Sequence, residues 1–153
     1  MNSPVADKRT QARELAMQAL CQLDVQGRDV LPWLGGFFRE QTDDSAAIEL
    51  AERWTSGAWE HIEDCDKHIG QAATKWSLSR MSQVDRCILR LAVYQLKYCC
   101  DIPGKVVINE AIELAKKYST EQSSRFVNGV LDAVMKQVKS QTEDVEPKDL
   151  CEG

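Results

Sequence analysis

The sequence predicts an all-α fold, and three observations lead there. Apolar residues recur at helical steps of three and four over most of the chain, no stretch alternates as a strand would, and polar Pro- or Gly-containing breaks separate the periodic runs. The pattern is densest from Lys75 to Val138. Val84, Cys87, Ile88, Leu91, Tyr94, Gln95 and Tyr98 form one stripe, and Leu89, Ala92, Val93 and Leu96 extend the apolar surface nearly all the way round. A helix of that kind needs neighbours on each flank. The two periodic runs that follow, from about Lys105 to Tyr118 and from about Ser124 to Val138, supply them.

Taken in order, residues 1–7 read as a loose arm. Ala12, Leu15, Ala16, Ala19, Leu20 and Leu23 then line the first helix, with Gly27 as its stop. Lys8, Arg9 and Arg13 lie at its start, where cations oppose the helix dipole, so local stability does not account for them. A solvated helix face is the alternative reading. Pro32 suits the first turn of a second helix carrying Trp33, Leu34, Phe37 and Phe38, which Gly35-Gly36 weakens. Thr42-Asp-Asp-Ser45 offers N-cap oxygens to a long third helix whose core face runs from Ala47 to Ile69. Cys99 to Gly104 is a turn, because proline and glycine there end one helix and start the next. Val107, Ala111, Leu114, Ala115 and Tyr118 line the next helix. Phe126, Val127, Val130, Leu131, Val134, Met135 and Val138 line the last. Residues 140–153 carry no periodicity and read as a disordered acidic tail, leaving residues 8–139 as the folded domain.

Composition narrows the function. At 153 residues, 43% hydrophobic and 28% charged, the chain is one ordinary globular domain with room for a core. It holds no apolar run long enough for a membrane helix, and its N-terminus lacks the apolar core of a secretory signal, so a cytoplasmic location is expected. Six cysteines without a Cys-x-x-Cys are then expected to be reduced thiols, mostly small core residues. The net charge of −5 is concentrated in the tail; the body is almost neutral, with basic groups toward both ends. A polyanion partner therefore stays open, since local patches decide that.

Catalytic and metal signatures are sparse. No glycine-framed serine, P-loop or His-Glu-x-x-His occurs, which disfavours an enzyme. His61, Cys65 and His68 share one helical face, with Asp64 near, but His61 and His68 stand about 10 Å apart along the axis, too far for one ion. No metal and no cofactor are expected, only a buried cysteine flanked by surface histidines. Arg125-Phe126 follows a polar connector at a helix start, where N–H groups can meet phosphate and a phenyl ring can stack on a base. Periodicity alone favours Phe126 in the core. Asn128-Gly129 inside an apolar helix costs helix stability. Close helix contact and close approach of a ligand explain it equally well.

Read together, these residues resemble the NusB family of bacterial transcription antitermination factors. The resemblance rests on Gln83-Val-Asp-Arg-Cys-Ile-Leu-Arg-Leu-Ala-Val-Tyr-Gln-Leu96, on Ile102 to Lys116 and on Ser124-Arg-Phe-Val-Asn-Gly-Val-Leu-Asp132, with Arg13-Glu-Leu-Ala-Met-Gln-Ala-Leu20 matching the opening helix. Residues 28–72 match only as helix. The resemblance implies six or seven helices in two three-helix bundles. It also implies binding of boxA-type RNA together with NusE, the small-subunit ribosomal protein ten, in a complex with NusA, NusG and RNA polymerase that suppresses termination. Carried over, Arg9, Arg13, Gln122, Arg125 and Phe126 would face RNA, and Asp85, Arg86 and Arg90 would meet NusE. The Asn-Gly pair matches a family hallmark. Thr10 and Gln11 replace frequent arginines, Cys21 a frequent aromatic and Gln95 a frequent glutamate, so phosphate contacts are fewer and the salt slope shallower. Some relatives self-associate, which leaves a homodimer open. The rival readings are an RNA-binding adaptor for another machine, since the same domain also precedes a ribosomal-RNA methyltransferase, and a helical protein-interaction module without RNA.

Overall fold

The computed structural model describes residues 4–74 and 81–142, with side chains for 8–74 and 81–139. Among these residues there are seven α-helices and no strand: α1 Pro4–Gln26, α2 Leu31–Gln41, α3 Ser45–Glu60, α4 Ile62–Ala72, α5 Gln83–Tyr98, α6 Gly104–Tyr118 and α7 Glu121–Thr142. A 3-10 turn, Gly27–Val30, joins α1 to α2. Helices α1–α3 form one three-helix unit and α5–α7 the other, with α4 laid across α5 and α7. None of these helices is long and apolar enough to cross a membrane.

Each boundary has a local cause. α1 starts at Pro4, inside the stretch read as a loose arm, because proline is at home in a helix's first turn. It stops where Gly27 takes a φ of +73°, a left-handed geometry that favours glycine. Asp44 caps α3, its Oδ1 accepting from the N–H groups of Ala46 and Ala47 at 3.0 and 3.2 Å. Ser82 caps α5, its hydroxyl accepting from Asp85 N–H at 3.1 Å. Residues 1–3, Trp76 with its neighbours at 75–80, and 143–153 lie outside the described residues.

Two expectations need correction. The single long helix through Ile69 is two helices, broken at His61, whose ψ of 22° leaves the helical range. The break lets α3 stay on α1 while α4 turns its Cys65, His68 and Ile69 onto α5 and α7. The last helix also begins earlier, at Glu121 rather than Ser124, because the Thr120 hydroxyl accepts from Ser123 N–H at 2.9 Å and caps it.

The core joins both units through α5. Cys87, Ile88, Leu89, Leu91, Ala92, Val93 and Tyr94 are all buried, facing α1, α3, α4, α6 and α7 in turn. The stripe read for α1 is buried in full, from Ala12 to Leu23. Free thiols occur at Cys21, Cys65, Cys87 and Cys99, whereas Cys100 is disulfide-bonded, a correction to the all-thiol expectation. Burial pushes the Cys65 thiol up to about 12, which makes it an inert core residue.

At the crossing of α3 and α5 only glycine fits. A Cβ on Gly57 would lie 2.1 Å from the Tyr94 hydroxyl oxygen and 2.2 and 2.7 Å from two of its ring carbons, in a side chain itself mostly buried. Overpacking of this kind costs about 1–3 kcal/mol, and alanine's better helix propensity returns about 1. Gly57→Ala is therefore expected to lower stability by up to about 2 kcal/mol in urea denaturation. Tyr94→Leu in the same chain should recover part of that loss.

Candidate nucleic-acid interface

The start of α7 packs beside the start of α5, and the gap between them is a pocket of about 270 Å³. Asp85, Thr120, Gln122 and Phe126 are among its walls. Three residues singled out in sequence thus meet at one place. Gln122 is exposed, and Phe126 is half-buried, packed against the core cluster on one side. The same ring lines a second depression of about 250 Å³ with Arg125, Gly129 and Ala72–Thr74. Phe126 therefore serves both as an edge of the core and as a wall of two surface hollows. Arg125, exposed, stands one turn inside α7 and not at its N-terminus, as the earlier helix start dictates. The first turn instead carries Glu121, which complements the helix dipole. Close helix contact does not explain Gly129, since nothing lies within 4 Å of where its Cβ would be.

The two arginines of α1 part company. Arg9 is exposed and lines a separate groove of about 850 Å³ with Arg53, Trp54, Tyr94 and Tyr98. Arg13 is only 3% exposed, a correction to its reading as an RNA-facing residue. Its Nε donates to Gln95 Oε1 at 3.3 Å, its Nη1 lies 3.9 Å from Glu110, and its guanidinium sits 5.1 Å from the centre of the Trp54 ring. Burial draws this group below its ordinary value, against the raising field of Glu110.

The acidic-basic set on α5 is also drawn inward. Asp85 is buried, and its Oδ1 finds no hydrogen-bond partner among the described residues. Arg86 donates to Asp24 at 2.7 Å. Arg90 donates to Asp24 at 2.9 Å and grips both oxygens of Asp66 at 2.8 and 2.9 Å. These bonds tie α1, α4 and α5 together. The two arginines are therefore structural clamps whatever else they meet. Burial alone would raise the Asp24 carboxyl, yet bonds from Arg86, Arg90 and Gln83 outweigh it and hold the group below its ordinary 3.8.

The histidines find partners of their own. His61 stacks on Tyr98 with ring centres 4.0 Å apart. His68 is buried, not on the surface as read, its Nδ1 3.2 Å from Gln137 and its Nε2 3.0 Å from Lys97. Asp64 accepts from Lys97 and from the Tyr98 hydroxyl, each at 2.7 Å. Burial would raise this carboxyl too, but those bonds win and lower it. Both depressed carboxyls give stability that is present above an ordinary Asp pKa and lost as pH falls through the lower folded value. The urea midpoint is expected to hold steady from pH 7 to about 5 and to drop below about 4. Asp24→Asn and Asp64→Asn should each flatten that drop.

Sequence reading missed Asp24, Asp66, Trp54 and Glu110 as partners of these arginines. One signal was available: Gln95 sits in the apolar stripe of α5, and a polar residue there calls for a buried partner, which Arg13 provides. Helical periodicity alone could not pair the acids, because their partners lie 24 to 97 residues away in sequence.

The chain is thus an all-α protein of two three-helix units, with a phenylalanine-walled hollow flanked by glutamine and arginine. The comparisons narrow this. The chain matches the NusB family over residues 10–136, and it is a member of that family. It is 42% identical to the transcription antitermination protein NusB of Symbiobacterium thermophilum over 86% of this chain and 91% of that one. With the protein of the same name from Anaeromyxobacter dehalogenans strain 2CP-1 it shares 46% identity over 85% and 92%. Among solved structures it resembles T. maritima NusB, with a TM-score of 0.71 and 38% identity over 94% of this chain and 99% of that one. It also resembles a chain from a crystal structure of the antitermination factors NusB and NusE in complex with dsRNA, with a TM-score of 0.78 and 30% identity over 86% and 98%.

Proposed function

We propose that this protein is a transcription antitermination factor that binds boxA-type RNA together with NusE. The observation that carries the reading is the convergence of Gln122, Arg125 and Phe126 on two adjoining hollows at the start of α7, in a chain whose relatives bear that function's name. Arg125 and Arg9 neutralise phosphates, Phe126 offers its exposed face to a base, and Gln122 supplies donors and an acceptor. Arg13 acts from below, holding α1 against α5 and α6. Asp85, with its unpartnered oxygen, stands at the partner side of the same hollow, where a cationic or hydrogen-bond-donating group of NusE completes it. Arg86 and Arg90 keep that edge of α5 in place.

The protein works by assembly in the cytoplasm and not as an enzyme, joining NusA, NusG and RNA polymerase through the RNA and NusE. Residues 8–139 form the working domain, and a homodimer is a reserve state that covers the RNA surface. With a single exposed arginine on the first helix and one on the last, RNA affinity alone is modest and the salt slope shallow.

Titration of a labelled boxA-type RNA, alone and with NusE, tests this against a scrambled RNA. Binding is expected to tighten with NusE and to depend on sequence. Phe126→Ala should weaken it by about 1–3 kcal/mol, roughly 5- to 150-fold, with the fold intact by circular dichroism. Equal binding to both RNAs, or none with NusE present, would replace this reading with a helical protein-interaction module.

A further inference from the structure

Thr10, Gln11, Glu14 and Gln18 of α1 meet Lys117 of α6 and Gln41 of α2 around a polar hollow of about 420 Å³. Its floor along α1, from Thr10 to Gln18, is about 12 Å long at the helical rise per residue. One end adjoins Arg9 in the chain. At the other, Gln18 donates to the Tyr118 hydroxyl at 3.2 Å, just ahead of the start of α7 at Glu121. The hollow thus lies between the exposed arginine of α1 and the two hollows at the start of α7. Its amides are only partly engaged among the described residues. Gln11 Oε1 accepts from the Thr42 hydroxyl at 3.2 Å, which leaves the Gln11 N–H groups without a partner. Gln18 keeps its carbonyl oxygen, and Gln41 is exposed with neither group bonded. Between Arg9 and Gln18 the one cation of α1 is Arg13, which is buried, so the positive charge of the hollow comes from Lys117. Its Nζ donates to both oxygens of Glu14 at 2.9 and 3.1 Å, with 61% of the lysine side chain exposed. Water screens so exposed a pair, which makes it easy to part. Glu14 would not be stranded, because the Tyr118 hydroxyl also donates to it.

We propose that this hollow is the bed along which RNA passes from Arg9 to the start of α7, and that Lys117 is a phosphate contact within it. The inference rests on the RNA-binding function proposed above. Lys117 exchanges Glu14 for a phosphate oxygen, a swap between two anions that keeps its charge paired. The spare donors of Gln11 and Gln41 and the spare acceptor of Gln18 meet base and sugar edges, which a single strand presents unpaired. Glu14 holds Lys117 in the free protein and repels the phosphate in the complex, so it lowers the affinity that Lys117 raises. The α1 surface thereby obtains from α6 an exposed cation that its own residues after Arg9 do not supply.

The experiment titrates a labelled boxA-type RNA with the full chain, in the presence of NusE, over a series of salt concentrations. Lys117→Ala should weaken binding roughly 3- to 10-fold and lower the salt slope by about 1, the signature of one lost phosphate contact. Lys117→Arg should restore both. Glu14→Gln, which still accepts from Tyr118, should tighten binding. The melting temperature of Lys117→Ala should stay within about 3 °C of the parent's, because an exposed ion pair contributes little, so weaker binding would not reflect a damaged fold. If the parent binds and Lys117→Ala binds with the same affinity and slope, this inference falls and the antitermination reading stands. If the parent does not bind, both fall. A Lys117→Ala defect in binding NusE without RNA would put a protein in the hollow and overturn the inference as well.

Discussion

Arg13→Ala should lower the stability of this protein by about 2–4 kcal/mol, a loss of roughly 5–15 °C in melting temperature. The arginine is buried, and its removal strips Gln95 of its donor, Glu110 of its nearest cation and Trp54 of its stacked guanidinium. Gln95, 1% exposed, would be left with an unsatisfied carbonyl inside the α1–α5 contact, and a stranded buried acceptor is the expensive outcome. Arg13→Lys keeps the charge but loses the planar fork and the stacking, so it should recover less than half of the loss. Differential scanning calorimetry of both variants checks this. The result bears on function directly, because weaker RNA binding by Arg13→Ala would follow from the damaged fold and would not locate the RNA site. Phe126→Ala and Arg125→Ala are the variants that can.

Arg90→Ala is the second large effect, also about 2–4 kcal/mol. Arg90 makes three charge-assisted bonds, one to Asp24 and a forked pair to Asp66, with only 12% of its side chain exposed. Removing one partner of a buried ion pair typically costs 3–5 kcal/mol, on the order of the bonds lost; the value here is smaller because Asp24 keeps Arg86 and Asp66 can rehydrate. Asp24 would then titrate nearer its ordinary value. The acid-side drop in stability should therefore shrink along with the stability itself. Urea denaturation at pH 7 and pH 3.5 checks both statements. An Arg90→Ala chain as stable as the parent at pH 7 would show that the clamp holds nothing together.

Much of this architecture is legible along the chain, and the reason is periodicity. α1, α5 and α6 each bury a stripe at steps of three and four, and Gly27, Pro103 and Gly104 end or start helices through backbone geometry that is local. The break at His61 was not legible. The apolar pattern runs unbroken from Ala47 to Ile69, and only the different neighbours of α3 and α4 require the turn. The early start of α7 was missed for a similar reason: Thr120 is one of several cap candidates in a polar connector, and only its bond to Ser123 selects it.

At the candidate interface the division falls between residue type and exposure. The sequence by itself determined the all-α class, the central place of α5 and the membership in a family, because helical stripes and ordered motifs are local properties of the chain. Tertiary structure alone decided which arginines remain at the surface. Arg9 and Arg13 lie four residues apart on one helix, yet Arg9 is exposed and Arg13 sits between Trp54, Gln95 and Glu110, contributed by α3, α5 and α6. Packing of distant helices sets that difference, since burial of a charge depends on which acid or ring the fold brings to it.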